Sequence, residues 1–153
     1  VYRIIDLALQ RVAKRHDKIA LVGFSRGGAV SYEVAWRARQ SKKYFDLVIA
    51  HSGGVPRDLT VARGLEPDPF FRKLTAGELR LDGTRFFLYS GDRDEQWGGR
   101  MSDQMANAKD LIAKSGGEVV EWAREKNGGH MGYRQIPGIS DRAIGHFIRL
   151  TSP

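Results

Sequence analysis

The chain has 153 residues, of which 28% are charged, and it carries a formal net charge of +7 without any cysteine. This length is that of one domain, which can bury roughly two thirds of the surface of its unfolded state. The lack of cysteine excludes disulfides and a thiol nucleophile. The basic residues are scattered among acids, without zinc-ligand spacing, a Walker loop or an RNA-binding aromatic motif. We therefore expect no nucleic-acid partner, no metal or other cofactor and, because no apolar run is long enough, no membrane span.

Strands and helices are expected to alternate along the chain. Short apolar runs predict four strands, at 19–24, 45–51, 84–90 and 118–123. Apolar residues at helical spacing predict helices at about 2–15, 29–40 and 102–114, and a last helix after Pro137. In that helix we expect Ser140 to be the cap and Ile144, Phe147 and Ile148 to face the core. The alternation predicts a single α/β domain over residues 1–153, with a parallel sheet and helices on both faces.

The stretch from Gly23 to Gly28 reads Gly-Phe-Ser-Arg-Gly-Gly and lies between a predicted strand and a predicted helix. A G-x-S-x-G sequence in that position is the pattern of a nucleophile elbow, a sharp turn that lifts the serine hydroxyl out of the sheet edge. Glycines flank the serine because no side chain fits the crowded corner. The pattern therefore predicts that Ser25 is a nucleophile.

Two further polar sites follow later strands. Gly-Asp-Arg-Asp at 91–94 follows the third strand, and Gly-Gly-His at 128–130 follows the fourth. The order serine, acid, histidine is the order found in α/β-hydrolases. A serine hydroxyl needs an imidazole to accept its proton, and a carboxylate holds that imidazole in the right tautomer. We expect Ser25, Asp94 and His130 to meet at the carboxyl ends of the strands.

Other residues compete for two of these roles. Asp92 competes with Asp94 for the role of the acid, and Asp94 is favoured. His16 lies at the basic end of the first predicted helix and His146 lies inside the last one, while His51 ends a strand but precedes the acid in the chain. His130 is favoured over all three because it follows the acid and has glycines that free its loop.

The chain resembles the phospholipase/carboxylesterase branch of the α/β-hydrolase superfamily, which includes the acyl-protein thioesterase-like enzymes. The likeness rests on the residues at 21–30 around Ser25, the small residues and proline at 50–56, the spacing Gly91-x-x-Asp94, and Gly129-His130. It covers nearly the whole chain in order, apart from residues 57–82. The resemblance implies a serine hydrolase that cleaves a carboxylic ester or thioester through an acyl-enzyme on Ser25. An oligopeptidase-like peptidase and a non-catalytic hydrolase-fold binding module are the alternatives.

The resemblance also implies features outside the three central residues. The backbone N–H of Arg26 would be one oxyanion donor, and the second would come from a loop that precedes the elbow strand. The family sheet has more strands before the elbow, so we expect the chain to be a carboxyl-terminal half that pairs with a missing segment or companion chain. Residues 53–83 are a candidate cap. Four residues are candidates for the walls of the substrate pocket: Trp97, Phe70, Phe71 and Met131. The alternative for Phe70 and Phe71 is that they anchor a long loop onto the core, and the alternative for Trp97 is a surface anchor.

Overall fold

The computed structural model describes residues 18–41, 45–58, 69–96, 99–135 and 138–152, together with single helical positions at 3, 7, 8, 10 and 11. The strands in chain order are β1 (Ala20–Phe24), β2 (Leu47–His51), β3 (Arg85–Gly91), β4 (Glu95–Gln96), β5 (Gly99–Arg100) and β6 (Glu118–Glu125). Strands β1, β2, β3 and β6 form one parallel sheet in that spatial order, and β4 and β5 form a small antiparallel hairpin. The four strands predicted from the sequence are confirmed.

Helices cover both faces of this sheet, as expected. They are α1 (Arg26–Ser41), α2 (Pro69–Thr75), α3 (Met101–Lys114), α4 (Gly132–Gln135) and α5 (Ile139–Thr151). Helices α1, α2 and α3 pack with Phe86 and Leu88 of β3 on one face. Helices α4 and α5 pack with Phe87 and Tyr89 on the other. Alternate residues of a strand point to opposite faces, so a strand covered on both sides is apolar throughout.

The last helix differs from its prediction. It begins at Ile139, and Gly138, with a φ of 88°, occupies the cap position without a side-chain hydrogen bond, so Ser140 is not the cap. Ile144 and Ile148 are 52% and 55% exposed, which contradicts their predicted burial. The helix buries Ile139 and Ala143 instead, with Phe147 partly buried. Only this side of the helix packs on the sheet, so Ile144 and Ile148 stay exposed.

The segment predicted as a cap contributes to the core where it is described. Phe70 and Phe71 of α2 are buried, and the Phe70 ring lies 5.9 Å from Trp36 of α1. The structure therefore places these two pocket candidates in the hydrophobic core. The helix predicted at 2–15 lies outside the described residues, apart from the single helical positions.

The junction of β1 and α1 requires glycine at one position and tolerates a methyl group at another. A Cβ at Gly23 would overlap the Gly27 carbonyl and lie 2.8 Å from the Gly28 nitrogen. A Cβ at Gly27 would have no neighbour within 4 Å, which contradicts the crowding expected at that glycine. We expect Gly23→Ala to lower the free energy of unfolding by about 1–3 kcal/mol. Gly27→Ala should leave it unchanged or raise it by a few tenths of a kcal/mol. Urea unfolding of both variants checks this, and equal losses in the two would contradict the crowding.

Candidate active site

Ser25 lies at the turn between β1 and α1, with its backbone in the left-handed region at φ 56°. Its N–H donates to the His51 carbonyl at 2.9 Å, and its own carbonyl accepts the Ala29 N–H at 3.1 Å. A non-glycine residue keeps such a conformation only where its surroundings impose it, and such residues cluster at functional sites. A Cβ at Gly28 would lie 3.0 Å from the His51 oxygen. Close packing therefore explains why glycine stands beside this turn.

His130 lies between Ser25 and Asp94. Its Nε2 is 2.9 Å from the Ser25 Oγ, and its Nδ1 is 2.9 Å from each carboxylate oxygen of Asp94. These distances fall in the range for hydrogen bonds between a nucleophile, a base and an orienting group. The tautomer with the proton on Nδ1 donates to Asp94 and leaves Nε2 free to accept the Ser25 hydroxyl proton. The three side chains selected from the sequence are therefore brought together.

The two candidate acids have different surroundings. The Asp94 side chain is fully buried, whereas that of His130 is 24% exposed. Asp92 instead forms an ion pair with Arg124, in which the nitrogen–oxygen distance is 2.8 Å and both side chains are partly exposed. The structure therefore places Asp94, and not Asp92, against the imidazole.

The loops that carry Asp94 and His130 are in direct backbone contact. The Arg93 N–H donates to the Gly128 carbonyl at 2.9 Å. A Cβ at Gly91 would overlap that same carbonyl, so only glycine permits this approach. The Asp94 carbonyl accepts the Met101 N–H at 2.7 Å, which ties the acid to the first residue of α3. The acid and the imidazole are thus held by the main chain on both sides.

Sequence reasoning missed Ser52, which follows β2. It is fully buried, has a φ of 48°, and its Oγ donates to the His130 carbonyl at 3.0 Å. Its N–H donates to the Tyr89 carbonyl at 2.9 Å. Ser52 therefore ties the His130 loop to the two central strands. The small residues that follow it, Gly53 and Gly54, were the only signal in the sequence that this turn is crowded.

Aromatic rings form a layer beside His130. The Phe24 ring lies 4.9 Å from the His130 ring and 5.0 Å from the Tyr133 ring. Tyr133 in turn stacks on His51 at 4.4 Å with an interplanar angle of 21°. His51, a rival for the base, is therefore part of this layer, and its buried Nδ1 has no hydrogen-bond partner among the described residues. Burial lowers the pKa of His51 to about 4, so this ring is neutral near pH 7.

The remaining candidates lie apart from this arrangement or outside the description. His146 bonds Glu121 of β6 at 2.8 Å, so its ring is engaged elsewhere. Met131 is partly buried and directly follows His130, and Arg26 is the exposed first residue of α1. His16 and Trp97 lie outside the described residues.

In the part of the chain that the structure covers, no group of three or more ionisable ligands could hold a metal ion. No helix among the described residues has the length and apolar character to span a membrane.

No protein-family model matches the sequence, and no curated protein matches it either. Solved structures do match, at low sequence identity. An arylesterase aligns with a TM-score of 0.67 and 17% identity, over 97% of this chain and 56% of its own length. An esterase of Pyrococcus furiosus aligns with a TM-score of 0.62 and 17% identity, over 97% of this chain and 60% of its own length. A carboxylesterase of Bacillus cereus aligns with a TM-score of 0.62 and 18% identity, over 97% of this chain and 59% of its own length.

These alignments establish the fold of the chain. It has the α/β-hydrolase fold of esterases, with the parallel sheet and flanking helices described above. The chain spans only 56–60% of the length of these three structures. That share fits the carboxyl-terminal half expected from the sequence.

The buried, neutral His51 generates a prediction about acid stability. The unfolded chain binds a proton at His51 near pH 6.5, whereas the folded protein resists protonation down to about pH 4. The stability that depends on neutral His51 is therefore complete above pH 6.5 and is lost as the pH falls towards 4. The free energy of unfolding falls between pH 7 and 4.5. We expect this fall to be smaller by about 1–3 kcal/mol in His51→Phe, which keeps a stacking ring but cannot bind the proton.

Urea unfolding at several pH values measures this difference. Tyr133→Phe is the matched control, because it keeps both the stack and His51 and should show the wild-type pH dependence. An acid dependence in His51→Phe as steep as that of the wild type would contradict the prediction.

Proposed function

We propose that this chain carries the catalytic side chains of a serine hydrolase that cleaves a carboxylic ester or thioester. The observation that supports the proposal most directly is the continuous hydrogen-bonded series from Asp94 through His130 to Ser25, with each contact at 2.9 Å. The esterase names of the structures that share the fold favour an ester over an amide as the substrate. The proposed reaction needs no cofactor.

In the proposed mechanism the Ser25 Oγ attacks the acyl carbonyl while His130 Nε2 takes its proton. Asp94 keeps Nδ1 protonated and stabilises the imidazolium that forms. Collapse of the tetrahedral intermediate breaks the ester or thioester bond, and His130 returns the proton to the leaving oxygen or sulfur. A water molecule, deprotonated by the same imidazole, then releases the acid from Ser25.

The tetrahedral oxyanion needs backbone donors near Ser25. Arg26 is the first residue of α1, and the first N–H groups of a helix lack partners within the helix. We assign the Arg26 N–H to the oxyanion. A hydrolase of this fold uses a second donor from a loop before the elbow strand. We propose that this donor comes from a segment outside the chain described here.

The open side of the sheet supports such a companion segment. Among the described residues, β1 pairs only with β2, so one of its edges is unpaired. Val22 of β1 is 62% exposed and pairs in register with Ile49, which packs on the side of α5. Ile144 and Ile148 of α5 are also exposed. An apolar edge strand without a partner promotes pairing with another strand.

Substitutions of the two aspartates test the catalytic assignment. We expect Ser25→Ala to abolish the release of p-nitrophenol from a short acyl ester, because the nucleophile is lost. Asp94→Asn should lower kcat by about 10⁴-fold, because Asn stabilises the wrong tautomer of the imidazole. Asp92→Asn is the matched control and should have a small effect, because Asp92 contacts Arg124 and not His130. A larger loss in Asp92→Asn than in Asp94→Asn would overturn the assignment of the acid.

The same assay distinguishes the other functions considered. Activity on aminoacyl amides that exceeds activity on esters would favour a peptidase. No hydrolysis by any form of the protein, with the fold intact by circular dichroism, would favour a non-catalytic binding module and contradict the proposal.

A longer protein tests the companion segment. We expect a protein that also contains the proposed companion segment, here called the extended protein, to have a kcat about 10²–10³ times that of the 153-residue chain, because that segment would supply the second oxyanion donor. Val22→Lys should destabilise the extended protein but not the 153-residue chain, in which Val22 is exposed. Equal activity of the two proteins would contradict this prediction.

A further inference from the structure

The carboxyl edge of the sheet, where Ser25 lies, carries exposed positive charge on every side. Exposed basic residues follow each of the four strands of the parallel sheet, and none of them forms an ion pair with another described residue: Arg26, Arg57, Arg93, Arg100, Lys126 and Arg134. Asp58 and Glu95 are the exposed acids of the same loops in the described ranges. The cations at this edge therefore outnumber the exposed acids.

Three further acids of this edge have partners other than the six cations named above. Asp92 pairs with Arg124 at 2.8 Å and Glu125 pairs with Arg142 at 3.2 Å, while Asp94 is buried against His130. Asp92, and more weakly Asp103 of α3, raise the pKa of the Arg124 guanidinium. None of these acids forms an ion pair with Arg26, Arg93 or Arg134.

The opposite edge of the sheet has a different charge arrangement. There Arg80 pairs with Asp82 at 2.7 Å, and Arg85 pairs with Glu118 at 3.4 Å. Arg80, followed by weaker effects that include Arg39, lowers the pKa of Asp82. Two arginines at the amino ends of the strands thus form ion pairs with acids, whereas the six cations named above at the carboxyl ends form none with a described residue.

Three of the unmatched cations lie close to the three central side chains. Arg26 directly follows Ser25, Arg93 directly precedes Asp94, and Arg134 is four residues beyond His130. Neighbouring Cα atoms are about 3.8 Å apart, so Arg26 and Arg93 lie within about one Debye length of the site whichever rotamer they adopt. A site surrounded by one sign of charge concentrates substrates of the opposite sign.

We propose that the substrate of this site is an anionic ester or thioester, one that carries a carboxylate or phosphate group near the scissile carbonyl. The inference rests on the proposed hydrolase function and specifies its substrate class. The anionic group can belong to the acyl part or to the leaving group, because cations surround the site on the loops that follow all four strands.

Two matched pairs of substrates test whether the anionic group lies in the acyl part or in the leaving group. For the acyl part, the p-nitrophenyl monoester of adipic acid is compared with p-nitrophenyl hexanoate, which has the same six-carbon chain without the terminal charge. For the leaving group, the butyrate ester of 4-hydroxyphenylacetate is compared with that of 4-hydroxyphenylacetamide. The assay uses whichever of the 153-residue chain and the extended protein is more active.

We expect kcat/KM for the anionic member of at least one pair to exceed that of its neutral partner about tenfold or more at low ionic strength. That ratio should fall towards one in about 0.5 M NaCl, where the Debye length is only a few ångströms. Arg93→Gln and Arg134→Gln should each lower the ratio. Lys114→Gln, which removes the same charge at the end of α3, should leave the ratio unchanged.

The outcomes distinguish this inference from the proposed function. Hydrolysis of neutral esters at rates equal to or above those of both anionic ones, without a salt effect, would overturn the anionic class and leave the hydrolase in place. A preference that Lys114→Gln reduces as much as Arg93→Gln would also overturn it, because the effect would then reflect net charge alone. Failure to hydrolyse any ester would remove the proposed function and this inference together.

Discussion

The arrangement of Ser25, Asp94 and His130 depends on close contacts between the backbones of loops that follow neighbouring strands. The Arg93 N–H donates a hydrogen bond to the Gly128 carbonyl, and the Ser25 N–H donates one to the His51 carbonyl. The Ser52 hydroxyl donates one to the His130 carbonyl. These contacts involve short, crowded turns rather than long side chains. Because the main chain sets the positions, the imidazole is oriented before any ligand arrives, and such preorganisation is a large part of what a hydrolase site contributes to rate.

Burial sets the charge state of the groups around this arrangement. Asp94 has no exposed side-chain surface, and both of its carboxylate oxygens lie 2.9 Å from the Nδ1 of His130. His51 is neutral near pH 7 because it is buried among aromatic rings. Burial, followed by the charges of Glu125 and Asp94, raises the pKa of Tyr89 to about 12. Apart from the Asp94 carboxylate, His51 and Tyr89 beneath the site are therefore uncharged near pH 7, and the exposed arginines of the edge add positive charge around it.

Local patterns predicted the parts of the site that depend on short segments. Strand, turn and glycine signals identified Ser25, and the spacing after later strands identified His130 and preferred Asp94. The sequence could not reveal Ser52, because its role depends on a contact between residues 78 positions apart. Nor could it reveal that Ile144 is exposed, because helical periodicity defines an apolar face without stating which part of it is covered. Short elements such as the β4–β5 hairpin carry too few residues for a periodic pattern.

The central claim is that His130 activates Ser25, and modification by a fluorophosphonate tests it most directly. Such a probe reacts with a serine whose hydroxyl is deprotonated by a neighbouring base. We expect peptide mass mapping of the extended protein to find the phosphonyl group on Ser25 alone, and its attachment to be much slower in His130→Ala. Modification of another serine, or an equal rate of modification in His130→Ala, would contradict the claim.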